Sequence, residues 1–143
     1  MLEEFLKECC GVQGLVFAIG NRSAISELEV KEPLEPLFEG GAMHLAGTGW
    51  GAHLNLKEVA RVQFTKARER SGLIPFLLMA VLLDAGGTAL CSVFFPNPWL
   101  GPDHRPAPYE ESRLVVYESF KMKYTAIGPD FFTAVEEEGA SQG

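Results

Sequence analysis

The sequence predicts an α+β domain: an extended antiparallel β-sheet with helices at the chain ends. Three observations carry this. Apolar runs recur in pairs around turns of Gly, Asn and Asp, the pattern of consecutive hairpins. Helical spacing is confined to the N-terminal residues and to the stretch after Tyr109. A length of 143 residues with 47% apolar content suits one core. Strands grouped in sequence, with helices set apart from them, define α+β organisation.

Leu2, Phe5, Leu6 and Cys9 recur at helical spacing, so an amphipathic helix is expected from Leu2 to Cys10, ending at Gly11. Gly14 to Ile19 is a fully apolar strand, and Gly20-Asn21 is turn chemistry. Ala24 to Lys31 alternates Leu28 and Val30 with Glu27, Glu29 and Lys31, a strand with one wet face that closes a first hairpin. Glu32-Pro33-Leu34-Glu35-Pro36 breaks the ladder, since proline donates no backbone hydrogen bond. A second hairpin spans Ala42 to Leu56 around Gly47-Thr48-Gly49, and Val59 to Thr65 adds a strand. The clearest hairpin has the arms Phe76–Leu83 and Ala89–Phe95 around Asp84-Ala85-Gly86-Gly87. Their near-continuous apolarity predicts neighbouring central strands buried on both faces, by a helix on one side and by a partner or pocket on the other.

Five prolines between Pro96 and Pro108 mark a loop, and Pro108 suits the first turn of a helix over Tyr109 to about Tyr124. Glu110 and Glu111 then sit near the favourable end of its dipole. One domain is expected over residues 1–134, followed by an acidic flexible tail at 135–143.

The charge balance, 12 basic against 19 acidic residues, gives −7 and argues against nucleic acid or anionic membranes as partners. The longest apolar stretch, Phe76 to Leu83, falls well short of the roughly 20 residues that cross a bilayer, so no membrane insertion is expected. Acidic residues near the N-terminus are unlike a secretory signal, which points to a cytoplasmic protein. Three cysteines, two of them the adjacent Cys9 and Cys10, make neither a disulfide framework nor a zinc spacing; they read as reduced thiols.

Neither a phosphate-binding Gly loop, a Gly-x-Ser-x-Gly elbow nor a His-Glu-x-x-His helix is present. Strand parity sends Leu54 and Leu56 to one face and Gly51, His53 and Asn55 to the other. His53 can therefore offer a metal-binding imidazole outside the core, although a strand histidine is more often simply solvated. His44 is a weaker candidate of the same kind. On the C-terminal helix, taken at 100° per residue, Tyr109, Phe120, Arg113, Tyr124 and Tyr117 fall within a stripe of roughly 80°, an apolar face with a cation in its middle. Arg113 either lays its stem along that surface and reaches Glu110, or meets an anionic ligand group. In the loop, Asp103-His104-Arg105 beside Trp99 offer a cation and an imidazole, or a solvated turn.

Three stretches resemble the haem-utilisation proteins of the HemS/ChuX type. They are Gly40 to Val62, with its Gly-rich turn and small-residue–His–aliphatic strand; the hairpin from Phe76 to Phe95; and Leu100-Gly101-Pro102-Asp103-His104-Arg105 leading into the last helix. The resemblance spans about Gly11 to Phe120 and implies a ChuX-like, half-length, haem-handling protein that forms a homodimer in imitation of two-repeat members. It implies His53 as the haem-iron ligand. Arg113, Arg105 and His104 become candidate propionate partners, and Phe94, Tyr117 and Phe120 candidate walls. Phe17 stands where some members carry a second histidine, and the helical extension of half-length members is reduced to Met1–Cys10. Ligation by another residue, or loss of the haem site, are alternatives. The expected function is haem binding and trafficking without catalysis. The alternatives are haem degradation and a dimeric interaction module without haem.

Overall fold

The computed structural model describes residues 1–20, 23–47 and 49–137. In chain order the elements are α1 (Leu2–Cys9), β1 (Val16–Gly20), β2 (Ile25–Glu29), β3 (Leu37–Glu39), β4 (Ala42–Gly47), β5 (Trp50–Asn55), β6 (Arg61–Arg68), β7 (Phe76–Leu83), β8 (Ala89–Phe94), α2 (Glu111–Ile127) and β9 (Phe132–Glu136). They form a six-stranded sheet in the order β2-β1-β8-β7-β6-β9 and a three-stranded sheet, β3-β4-β5. The expected α+β organisation and the hairpins are present, with β7 and β8 adjacent at the middle of the larger sheet.

Four expectations need correction. The strands divide between two sheets, because the prolines at 33 and 36 end the first ladder and a new one starts beyond them. The second sheet includes β3, which the sequence reading passed over; it is joined to β4 by Gly40-Gly41, both at positive φ, a two-residue hairpin turn that β-branched or bulky residues could not make. The larger sheet is mixed, since β9 runs parallel to β6 in the register Val62↔Phe132 to Lys66↔Glu136. The chain is paired there through Glu136, and the Glu137 amide donates to the Lys66 carbonyl at 2.8 Å. Residues 138–143 lie outside the described residues. Finally, α2 begins at Glu111, with Glu110 as an extended cap, so Tyr109 precedes the helix.

One face of the six-stranded sheet carries the core. Phe17, Val93, Ala80 and Phe64 lie in cross-strand register, and all are buried. Phe5 from α1 meets Phe64 edge-to-face at 5.8 Å between ring centres, and Phe95, Tyr117, Phe120, Tyr124 and Phe132 complete an aromatic cluster between the sheet and both helices. Met43 and Leu45 bring the inner face of the small sheet to the same core. Here Trp50 lies across Gly47, whose missing side chain leaves the space its indole fills.

The other face of the six-stranded sheet has no layer of its own. The row Glu29–Val16–Phe94–Met79–Thr65–Val135 runs across it, one residue out of step with the buried row. Its apolar members are half-buried or exposed: within this chain β7 is sealed on one face, and Leu77 on its other face lines a pocket. Among the described residues no helix is long and apolar enough to cross a membrane.

Candidate functional site

A cleft of about 540 Å³ opens where this second face meets the Pro-rich loop and the start of α2. Its apolar wall includes Val16, Leu77, Phe94, Pro96 and Leu100, and its polar groups are Glu27, Glu29, Asn97, His104 and Arg113. The volume lies within the roughly 300–1,000 Å³ that encloses a small ligand. Strand parity builds the wall: Val16 and Leu77 belong to the alternating positions that point away from the core, and Phe94 is registered against both Val16 and Met79.

Asn97 holds the cleft's rim. It is the buried polar residue among those described, 5% exposed, and its amide donates to the Phe76 carbonyl at 2.8 Å while its side-chain oxygen accepts from the Trp99 amide at 2.9 Å. Its backbone carbonyl accepts from the Arg113 Nε at 2.9 Å. The guanidinium is therefore tethered by Nε to the loop, and not to Glu110 as helical spacing suggests; its stem lies half-buried along the cleft. Loop hydrogen bonds from Gly101 N to Arg105 O (2.8 Å), Ala107 N to Trp99 O (3.0 Å) and Glu110 N to Pro98 O (2.8 Å) give the Pro-rich segment a fixed path. At its tip, His104 adopts φ 62°, the left-handed region, and its Nε2 meets Glu29 Oε1 at 3.0 Å.

The site residues expected from the sequence fall into three places. Phe94, His104 and Arg113 come together in the cleft. Tyr117 and Phe120 are buried in the aromatic core, where burial and then the Glu136 carboxylate push the Tyr117 phenol well above its ordinary value. They do not line the cleft. Arg105 is exposed at the loop tip, where its amide donates to Asp103 Oδ1 at 3.1 Å. Tyr109 is 48% exposed and donates to Glu111 at 2.7 Å.

His53 stands elsewhere. On the outer face of the small sheet it lies directly opposite His44, and the two Nδ1 atoms approach to 2.5 Å with ring planes at 84°. Phe17 points into the core, so a histidine in its place would not face the cleft. Among the described residues no group of three or more His, Cys, Asp or Glu side chains could hold a metal ion. Glu27, Glu29 and Asn97 also line the cleft, though no catalytic or ligand-binding motif in the sequence marks them as site residues. The Pro-Asn-Pro triplet was the available signal for Asn97, since an asparagine that hydrogen-bonds two residues ahead shapes such loops.

No protein-family model matches the chain, and no curated protein is significantly similar to it. Solved structures do match. ChuX superimposes with a TM-score of 0.66 at 13% identity, covering 87% of this chain and 72% of ChuX. A protein of Agrobacterium tumefaciens gives 0.66 at 14% identity, over 86% of this chain and 66% of that one. Apo-PhuS of Pseudomonas aeruginosa, described as a haem-binding protein, gives 0.56 at 15% identity, over 83% of this chain and 32% of PhuS. The chain thus spans 72% of ChuX, about two-thirds of the Agrobacterium tumefaciens protein and about a third of PhuS. The α+β expectation and the resemblance meet here: the two sheets and two helices of this chain superimpose on the ChuX structures.

Proposed function

We propose that this protein binds haem in the cleft and carries it without chemical change. The observation that supports this reading is the meeting of an apolar wall, an imidazole and a tethered guanidinium in one open site, on the fold of proteins described as haem-binding. Haem asks for such a set: a wide apolar surface, an axial donor and cations for its propionates. Arg113 keeps its terminal nitrogens for a carboxylate while Nε holds the loop. Glu27 and Glu29 oppose a second anion, and Glu29 is hydrogen-bonded to His104.

Two imidazoles compete for the iron. His104 shares the cleft with Arg113; His53, the ligand the resemblance implies, is on the other sheet. We assign the iron to His104, which ligates through Nδ1 or releases Nε2 from Glu29 to do so. The half-buried apolar face beside the cleft supports a homodimer, since a twofold contact is the commonest cover for such a surface. Three free, buried thiols suit a reducing, cytoplasmic setting.

An absorbance titration of the purified chain with haemin tests the reading. His104→Ala shifts or weakens the bound band. Arg113→Ala lowers affinity about tenfold or more without moving the band, as expected for a charge-assisted contact worth roughly 1.5–3 kcal/mol. A band moved by His53→Ala and not by His104→Ala takes the iron to the small sheet. No spectral change with the wild type leaves an interaction module, and loss of the haem band after a reductant and oxygen makes the protein a degrading enzyme.

A further inference from the structure

The face of the small sheet turned away from the core carries Leu37 and Glu39 from β3, Ala42, His44 and Ala46 from β4, and Gly51, His53 and Asn55 from β5. His44 and His53 are a directly opposed cross-strand pair, the arrangement that brings side chains closest in an antiparallel ladder. Their Nδ1 atoms converge at 2.5 Å, and their rings stand almost perpendicular, 4.6 Å between centres. An ordinary N–H···O or N–H···N contact is longer, about 2.7–3.2 Å. One Nδ1–H can donate to the other Nδ1 here, and with both rings as Nε2–H tautomers the two Nδ1 lone pairs converge on nearly the same point. Ala42, Ala46 and Gly51 flank the pair with small side chains, while Leu37 lies directly across from His44 on the β3 side. Asn55 is committed elsewhere, its Oδ1 accepting from the Lys57 amide at 3.1 Å.

We propose that His44 and His53 form a two-nitrogen chelate for a divalent, nitrogen-seeking transition ion, copper(II) or nickel(II) in preference to zinc, with water filling the other positions. Metal–nitrogen bonds of about 2.0–2.1 Å put two cis ligands of a square-planar ion about 2.9 Å apart and two ligands of a tetrahedral ion about 3.3 Å apart. The observed separation is nearer the first. Small rotations of the two rings open 2.5 Å to that value, whereas a tetrahedral site needs twice the movement. The order of intrinsic affinities for nitrogen donors also places copper(II) above zinc. The sheet supplies the pre-organisation: with one imidazole bound, the second is already at bonding distance, so the pair gains on the order of 10²-fold over a single histidine.

This site is independent of the haem reading, because its two residues lie outside the cleft and the ion is added without haem. The experiment titrates the full chain with copper(II) chloride, then zinc chloride, by calorimetry, and records the copper electron paramagnetic resonance spectrum at one equivalent. One ion per chain is expected, with hyperfine structure from two nitrogens and tighter binding of copper than of zinc. His44→Ala and His53→Ala each lower copper affinity by ten- to a hundred-fold and leave one-nitrogen hyperfine structure. Because both positions face solvent, far-ultraviolet circular dichroism of each variant matches the wild type. Binding that survives the double replacement within twofold, one ion per two chains, or the absence of saturable uptake overturns the chelate.

Discussion

The two faces of the six-stranded sheet differ by a single residue of phase. Phe17, Val93, Ala80 and Phe64 make one cross-strand row, and Val16, Phe94, Met79 and Thr65 make the next. Both rows are largely apolar. The first is sealed under α1 and α2, while the second is half-buried and ends in the cleft. Because strand side chains alternate with a period of two, each residue's face follows from its neighbour's. Apolarity of both rows, however, says that both faces avoid water, not that this chain alone covers them. The difference teaches that an apolar strand can be written for two different partners, its own helices on one side and a ligand or second subunit on the other.

The largest effect belongs to the sealed face. Phe64 meets Phe5, Phe95, Tyr117 and Phe132, so Phe64→Ala leaves a cavity with rigid aromatic walls. A loss of about 3–5 kcal/mol is expected in urea unfolding, as for other buried Phe to Ala changes. A loss under about 1 kcal/mol, the size seen at surface sites, would erase the distinction between the faces.

What was legible in the sequence follows the same division. The β7–β8 hairpin could be read nearly to the residue, because two apolar runs flank a turn in which Asp84 Oδ1 accepts from the Gly86 and Thr88 amides at 2.9 and 2.8 Å. β9 escaped because Phe132-Thr133-Ala134-Val135 is short and runs into acidic residues; only its non-local pairing with β6 makes it a strand. The same holds for the site. Parity showed that His53 leaves the core, and helical spacing placed Arg113 among aromatic residues. Neither could reveal that a loop carbonyl at Asn97 holds the arginine, or that His44 stands opposite His53, since both depend on segments brought together by the fold.

A smaller effect is expected where the sealed face meets its helices. The Tyr124 hydroxyl donates to Glu8, and Lys123 reaches the same carboxylate at 2.9 Å. Burial tends to raise the Glu8 carboxyl, but these two hydrogen bonds outweigh it and hold it below its ordinary value. Burial, with Glu8 beside it, pushes the Tyr124 phenol far above its own. A lowered carboxyl stabilises the fold at neutral pH and loses that contribution as pH falls through its folded-state value. A raised phenol contributes fully below its unfolded value of about 10 and loses that contribution as pH rises beyond it. Tyr124→Phe therefore costs about 1 kcal/mol at neutral pH and flattens the decline between about pH 5 and 3. Urea midpoints across that range check it; an unchanged acid limb would separate Glu8 stability from the tyrosine.

The smallest effect on stability, and the sharpest test of the open face, is expected from Met79→Lys. Met79 lies on a central strand, yet its side chain belongs to the half-buried row, between Phe94 on one side and Thr65 on the other. In the isolated chain a lysine there can extend its stem over Phe94 and keep its ammonium in water, so unfolding should change by no more than about 0.5 kcal/mol. In a twofold dimer built on this face, the substitution enters twice and sets two charges in an apolar contact, for which there is no compensating carboxylate in the row until Glu29 at its edge. Light scattering at micromolar concentration should then give twice the chain mass for the wild type and the single chain mass for the variant, with the urea midpoint of the monomer unchanged. Loss of several kcal/mol without a change of mass would mean that Met79 is sealed within its own chain, and that the two faces are not different after all.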